Sequence, residues 1–295
     1  MNSARLANLA LAGLTQGSIY AIVACGFNVS YATTGVLNFA HGEFLMLGTM
    51  LGVFFYGSLG WPLMVSMVLT VAICALIGAL VEIGAVRPAL RLGHRASGWI
   101  LSTLGVAIVL RSIVSLRMGQ DLRAFPDILS RTPHVIGGVR IVPQQLLVIA
   151  LAIAVAVGLH LLYERTLLGR ALEAVSQDRE AAAFRGLPIG KLSSTAFGVA
   201  AAVAALAGFM AAPLTGASPS VGFPFVLKAF VAAIIGGIPR IEGAFAGGLF
   251  LGLVEVYGAE YIGPSYRNVV VFASLLIFLF ARPQGIFGRV SARTV

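Results

Sequence analysis

The feature that most constrains this chain is the length of its uncharged stretches. Residues 6–40, 44–81 and 192–227 contain no Asp, Glu, Lys or Arg. Each stretch is longer than the roughly 20 apolar residues that a helix needs to cross a bilayer. The apolar residues form unbroken runs without period-two alternation, which favours helices over a transmembrane barrel. We therefore expect an all-α, polytopic transmembrane helical bundle that occupies residues 1–295 as one domain.

The composition supports a membrane protein and argues against several soluble classes. Hydrophobic residues make up 59% of the 295 residues and charged residues only 11%, whereas a soluble domain carries about 25% charged residues. No basic cluster alternates with aromatic residues, so the sequence predicts no nucleic-acid partner. The first apolar run is too long for a signal-peptide core, and we expect it to remain as the first span.

One charged segment, residues 167–191, interrupts the apolar pattern. Apolar stretches of membrane-spanning length, 143–163 and 192–227, lie on either side of it. A charged side chain at the bilayer centre costs about 2.5–3.5 kcal/mol on insertion scales. The charged segment is therefore expected in water, between two spans.

The pattern inside the charged segment predicts two short helices that bend near Gln177. Asp178 is a plausible N-cap for the second helix, and Gly186 followed by Pro188 is a plausible end. A rigid helical loop of this kind suits binding by another protein. A solvated hairpin that only connects two spans is equally compatible with the pattern.

The apolar stretches divide into seven spans and one broken pair. The spans are expected at about 6–28, 36–56, 62–86, 97–117, 142–163, 192–214 and 266–281, and the broken pair of two shorter pieces at 225–239 and 243–258. One side of the membrane then holds Arg87, Arg91, Arg95, Arg165, Arg170, Arg179, Arg185, Lys191, Arg282, Arg289 and Arg293. The other side holds Arg111, Arg117, Arg123, Arg131 and Arg140. Because cytoplasmic loops carry an excess of Lys and Arg, we expect the charged segment and the C-terminus inside and the N-terminus outside.

Polar residues crowd the approach to the second span. They lie in YATTGVLNFAHGEFLML, residues 31–47. Polar groups at membrane depth are tolerated where the backbone is broken and faces protein or water. This predicts a path for a polar solute, and an ordinary cytoplasmic turn with a helix start is the alternative. The four histidines are scattered along the chain, so no metal site is predicted.

A second interruption occurs in the broken pair. The piece that ends at Gly236-Gly237 and Pro239 is shorter than a hydrocarbon core of about 30 Å. Gly236 and Gly243 have the same separation as Gly35 and Gly42, which suggests an internal repeat around a transport path. The predicted path residues are Thr34, Gly35, Asn38, His41, Gly42, Glu43, Gly236, Gly237 and Pro239.

The remaining charged residues and the cysteines carry little predicted chemistry. Glu82 is expected to pair with Arg87 or to be solvated, and Glu255 and Lys228 have no obvious partner within their own segments. Both cysteines lie in apolar spans without metal-type spacing, so we expect neither a disulfide nor a metal. The chain has no phosphate-binding loop of the ATPase type and no hydrolase motif. We predict neither an enzyme nor a bound cofactor.

Several stretches together resemble one family. Glu180-Ala181-Ala182 followed by Gly186 matches the E-A-A-x-x-x-G loop of ABC importer permeases. The stretches GLTQGSIYAIVACGFNVSYATTGVLNFAHGEFLMLG at 13–48, GRALEAVSQDREAAAFRG at 169–186, KAFVAAIIGGIPRIEGAFAGGLFLG at 228–252 and ARPQGIFG at 281–288 resemble the branched-chain amino acid ABC importer permeases. Pro239 and Arg240 depart from the small residues found in many members, which leaves the substrate-facing chemistry there open.

The resemblance implies a multi-pass permease of a bacterial or archaeal inner membrane that forms half of a translocation path. It implies four kinds of neighbour: a second related permease subunit, two cytoplasmic ATPase subunits, an extracytoplasmic solute-binding protein and the lipid bilayer. The ATPase-docking loop would be about 164–191, with Arg170, Glu173, Gln177, Asp178, Glu180, Ala181, Ala182 and Gly186. The substrate stays open among branched-chain amino acids, other amino acids, amides and urea. An ion-coupled secondary transporter or channel is the main alternative, and a membrane-embedded enzyme comes third.

Overall fold

The computed structural model describes residues 3–91, 98–129, 132–282 and 284–287. Twelve α-helices lie within these ranges. They are α1 Ser3–Thr34, α2 His41–Gly52, α3 Leu63–Val81, α4 Arg87–Arg91, α5 Gly98–Met118, α6 Pro143–Arg165, α7 Leu167–Gln177, α8 Arg179–Phe184, α9 Ile189–Thr215, α10 Gly222–Gly236, α11 Ile241–Tyr261 and α12 Arg267–Ala281. Two π-helical turns, Val53–Ser58 and Glu82–Val86, continue α2 and α3.

Seven helical stretches are long and apolar enough to cross a membrane, which confirms the polytopic helical bundle. They are Ser3–Thr34, Leu63–Arg91, Gly98–Met118, Pro143–Arg165, Ile189–Thr215, Ile241–Tyr261 and Pro264–Ala281. Two expectations were wrong: the stretch at 36–56 holds the short helix α2 and is not one of the seven spans, and α11 has 21 residues and is a full-length span instead of a shorter piece. The helix starts at Ile241 and no breaker interrupts it before Gly263-Pro264.

The bundle has two ends, which we name by the charged segment. At the loop end, Arg87 Nη2 donates to the carbonyl of Gly190 at 2.6 Å, and Arg179 Nη1 donates to that of Thr33 at 3.4 Å. At the far end, Arg5 pairs with Glu260. Helix α1 therefore runs from the far end, where Arg5 lies, to the loop end, where Thr33 lies.

Helices α1, α9 and α11 form the centre of the bundle, and small residues bring them close together. In the most apolar 18 residues of α9, 72% of the residues are buried, whereas the share is only 6% in the span Pro264–Ala281, which contains α12. A Cβ on Gly252 of α11 would lie 2.2 Å from the nitrogen of Gly17 in α1, and one on Gly208 of α9 would lie 2.1 Å from the carbonyl oxygen of Leu45 in α2. Small side chains let helix backbones approach in this way.

The far-end loop contains a small β-hairpin that the all-α prediction missed. Strand β1, His134–Ile136, pairs antiparallel with β2, Val139–Ile141. Gly137 and Gly138 form the two-residue turn with φ values of 59° and 85°, a conformation that favours glycine at both positions. The amide of Arg140 donates to Asn8 Oδ1 at 2.8 Å, which ties the hairpin to α1.

Candidate functional site

The charged segment folds as the sequence predicted. The Thr166 hydroxyl accepts from the amide of Gly169 at 2.9 Å and caps α7. The Asp178 carboxylate accepts from the amides of Glu180 and Ala181, at 3.0 and 2.9 Å, and caps α8. Two short helices therefore meet at Gln177 and Asp178, because the Asp178 backbone is extended between them.

Most of the predicted docking residues are exposed. Arg170, Glu173, Gln177, Asp178, Glu180, Ala181 and Gly186 lie on the surface, and Gly186 has a left-handed backbone with φ 81°. Ala182 is an exception, because it is buried and packs against the hydrophobic core of the bundle. Ala182 therefore anchors α8 to the bundle and is not available for contact with a partner.

Phe184 at the end of α8 was missed by the sequence analysis. Its side chain is 91% exposed, at the end of the Ala-rich helix α8. Exposed aromatic residues are frequent anchors in protein interfaces. The signal in the sequence was an aromatic residue directly after the Ala-rich turn of a charged segment.

The charged segment lies next to both regions that were predicted to line a path. Arg179 of α8 donates to the carbonyl of Thr33, one residue before α1 ends. Glu173 and Gln177 of α7 line a cleft together with Pro239, in the turn between α10 and α11, and Glu242, in the first turn of α11. A movement of the charged segment would therefore reach the end of α1 through this hydrogen bond and would reshape the cleft beside the start of α11.

The first region leaves the end of α1 and turns back into the bundle. Gly35 follows α1 in the left-handed conformation, φ 67°, and Asn38 Oδ1 accepts from the amide of Ala40 at 3.0 Å. The first residue of α2, His41, donates through Nε2 to the carbonyl of Val23 at 3.0 Å. Val23 lies eleven residues before the end of α1, about 16 Å along the helix. Helix α2 thus begins deep within the spanning layer.

Helices α2 and α10 begin side by side, which the sequence analysis did not predict. A Cβ on Gly42 would lie 2.5 Å from the carbonyl oxygen of Gly222, and one on Gly222 would lie 2.5 Å from that of Gly42. Helix α10 has 15 residues, and α2 has 12 with 6 more in its π-helical continuation, so both fall short of about 30 Å and neither is among the seven spans. Their first turns, which carry partial positive charge, meet inside the bundle.

The matched spacing of the two glycine pairs does not mark equivalent positions. Gly236 and Gly243 face each other across the turn from α10 to α11, where an added Cβ would lie 2.0 to 2.3 Å from the partner's carbonyl oxygen. Gly35 has nothing within 4 Å of its added Cβ, and Gly42 contacts Gly222 instead. The two pairs therefore differ in what they pack against.

An ion pair lies beside the junction of α2 and α10. Arg111 Nη2 donates to Glu43 Oε1 at 2.5 Å, with Glu43 1% and Arg111 36% exposed. The Arg111 guanidinium also lies 5.7 Å from the centre of the Phe223 ring in α10. Arg111 was counted in the far-side loop, and this was wrong because it lies inside α5. Its removal from that count increases the excess of basic residues on the loop end.

A second charge cluster connects four helices. Glu255 of α11 is fully buried, accepts from Tyr20 Oη and Lys228 Nζ, both at 2.7 Å, and forms an ion pair with Arg267, whose Nε lies 3.1 Å away. These partners belong to α1, α10 and α12. Glu255 and Lys228 therefore have partners on neighbouring helices. The sequence analysis did not find them because the paired residues lie far apart along the chain. Glu82 pairs with Arg87, Nη2 to Oε2 2.5 Å, which confirms the local pair that was expected.

Most of the predicted path residues are buried in this conformation. Thr34, Asn38, His41, Gly42, Glu43, Gly236 and Gly237 are buried, whereas Gly35 and Pro239 are exposed at the loop end. Cys25 and Cys74 are buried free thiols. Within the described ranges, no group of His, Cys, Asp and Glu has the arrangement of a metal site.

Comparison with known proteins identifies the family. Residues 9–279 match the family described as the permease component of the branched-chain amino acid transport system. The chain is 34% identical to the high-affinity branched-chain amino acid transport system permease protein BraD of Pseudomonas aeruginosa, over 94% of each chain. It is 32% identical to the corresponding protein LivH of Escherichia coli K12, also over 94% of each chain.

A solved structure shows the same fold. The structure described as PsaBC from Streptococcus pneumoniae in complex with Fab aligns with a TM-score of 0.51 and 11% sequence identity, over 94% of this chain and 92% of that chain. At this identity the likeness concerns the fold alone, and the family rests on the sequence matches. The chain is a multi-pass membrane protein that belongs to the family of branched-chain amino acid transport system permease components.

Proposed function

We propose that this chain is the membrane-spanning subunit of an ABC importer for branched-chain or related amino acids. Energy would come from two separate cytoplasmic ATPase subunits, and a solute-binding protein on the far side would deliver the substrate. A second, related permease subunit would form the other half of the path. The names of the relatives support the amino-acid class, and the excess of basic residues supports a cytoplasmic loop end and C-terminus in an inner membrane.

One observation carries the mechanical part of this proposal. The α7–α8 pair exposes charged residues and Phe184 to a partner, yet it is hydrogen-bonded to the end of α1 through Arg179 and Thr33. The chain beyond Thr33 leads through Gly35 to the buried start of α2. Displacement of the loop by an ATPase subunit would therefore pull on the segment that closes the predicted path.

The path itself would run past the junction of α2 and α10. Unwound backbone and helix starts inside the layer are found where a transporter exposes polar groups to a solute. In the conformation described here the two helix starts are packed together. Opening would require α2 and α10 to separate; α2 follows a segment that is hydrogen-bonded to the charged segment, and α10 leads into a turn that shares a cleft with it.

Docking is tested with Phe184→Ala and Glu180→Lys in the complete importer. Both variants should lose co-purification of the ATPase subunits and ATP-driven leucine uptake, because an anchor residue of an interface contributes 2 kcal/mol or more, about thirtyfold in affinity. Phe280→Ala is the matched control. Phe280 is 90% exposed, like Phe184, but lies on the spanning helix α12.

Full association of the ATPase subunits with both loop variants would contradict the docking site. Leucine uptake that persists without any ATPase subunit would instead favour the ion-coupled secondary transporter or channel. The structure gives that alternative little support, since the candidate ionisable groups Glu255 and Lys228 are paired with each other and with Arg267 inside the bundle. The family assignment also supports the importer.

A further inference from the structure

The charged groups beside the α2–α10 junction have unused hydrogen-bonding capacity. Glu43 and Arg111 share a contact between Oε1 and Nη2. Glu43 Oε2 and Arg111 Nε are buried and have no hydrogen-bond partner among the described residues. One ion pair therefore contains both a buried acceptor and a buried donor that form no hydrogen bond with the described residues. Such groups are normally satisfied in a folded protein, so each exception calls for an explanation.

The position of Arg111 shows that its exposed part does not face lipid tails. Arg111 lies seven residues before the end of α5, about 10 Å inside the far end of that helix. Its side chain is 36% exposed. Charged side chains at such depth face the interior of a bundle, a partner or a water-filled cavity. The exposed part of the guanidinium therefore faces a partner subunit or an aqueous path.

The surroundings of this pair favour an anion next to Arg111 and an apolar group next to Phe223. The first turns of α2 and α10 add partial positive charge on the same side. Glu43 stands in the first turn of α2, with its unpartnered oxygen buried there. Phe223, in the first turn of α10, is exposed and lies against the guanidinium.

We propose that Glu43 and Arg111 form a binding site for the zwitterionic head group of an α-amino acid during passage. Arg111 binds the carboxylate of the substrate, the ammonium group donates to Glu43 Oε2, and Phe223 contacts the aliphatic side chain. This proposal rests on the proposed function and adds the residues that touch the substrate. Neither the loop end nor the Glu255 cluster offers an unpartnered acceptor and donor in one ion pair among the described residues.

The proposal is tested by substrate protection of an engineered cysteine. The complete importer with Phe223→Cys is treated with a thiol reagent, and modification of position 223 is read by mass spectrometry. The native cysteines are buried within this chain. Saturating leucine should slow modification at least about tenfold. Leucinamide, without the carboxylate, and 4-methylpentanoate, without the ammonium group, should not protect.

Two variants then separate binding from a structural role. Glu43→Gln combined with Phe223→Cys should lose the protection by leucine. In proteoliposomes, Glu43→Gln and Arg111→Lys should lower leucine uptake about tenfold or more, while ATPase stimulation by the loaded binding protein stays within about twofold. Glu82→Gln is the matched control, because Glu82 and Arg87 form a pair of the same length with 2% and 29% exposure. It should keep normal uptake.

The outcomes distinguish this inference from the proposed function. An unmodified importer without ATP-driven leucine uptake would overturn the proposed function, and this inference with it. An importer that transports leucine, but shows neither protection at position 223 nor a loss with Glu43→Gln, would overturn the binding site alone. Protection that survives in Glu43→Gln would place the ammonium group elsewhere and would also reject the site.

Discussion

Two ion clusters lie inside the spanning layer of this protein, and they differ in how completely their hydrogen bonds are satisfied. Glu255 has polar partners on three other helices, two hydrogen-bond donors and the ion-paired Arg267. Glu43 is equally buried, but it pairs with a single arginine that is partly exposed, and one of its oxygens has no partner among the described residues. A buried charge in a membrane helix is therefore not by itself a site. The unused hydrogen-bonding capacity is what separates a possible binding group from a structural one.

The largest expected effect comes from breaking the satisfied cluster. Glu255→Leu leaves Lys228 and Arg267 without their shared carboxylate, and removal of one partner of a buried pair costs about 3–5 kcal/mol. Unfolding of the detergent-purified protein should show this loss, together with a low yield. The double variant Glu255→Leu with Lys228→Met should recover part of the stability. A single variant as stable as the unmodified protein would contradict the structural role.

A smaller loss is expected when a single hydrogen bond of the same cluster is removed. Tyr20→Phe deletes the hydroxyl that donates to Glu255 at 2.7 Å, and hydrogen bonds to charged groups contribute about 1.5–3 kcal/mol. The aromatic ring stays in place, so packing against Phe225 is retained. Denaturation of the purified variant should show the change without a loss of leucine transport per folded molecule. A transport defect larger than the stability defect would assign the cluster a part in the path.

The smallest stability effect should come from the unsatisfied pair. Glu43→Gln leaves an arginine that is already 36% exposed and can recover hydration, so we expect a loss of about 1–2 kcal/mol. Transport should show the opposite order, with Glu43→Gln the most damaging of the three changes. If Glu43→Gln destabilises the protein as much as Glu255→Leu, the distinction between the two clusters is wrong.

Features with a local cause were predictable from the sequence. The hydropathy of single stretches located six of the seven spans, and the Asp178 cap with the bend at Gln177 followed from residues within one turn of each other. The Glu82–Arg87 pair joins residues five positions apart. Even the break between α1 and α2 was indicated by the polar residues around Gly35.

Features that join distant segments were not predictable in this way. Arg111 and Glu43 are 68 positions apart, and Tyr20 and Glu255 are 235 apart. The sequence offered no means to pair them, because these helices are apolar around their whole circumference. Without an amphipathic pattern, periodicity does not say which side faces lipid and which faces protein.

The sequence by itself determined that this chain is a membrane helical bundle with one charged, helical loop outside the lipid. Hydrocarbon excludes charges and unpaired backbone groups, so a uniform apolar run has few alternatives to a spanning helix. Only the tertiary structure decided that α2 and α10 begin together, and that Glu43 keeps a free oxygen while Glu255 does not. Those outcomes depend on close packing of small residues between helices, which is a property of two surfaces and not of either segment alone.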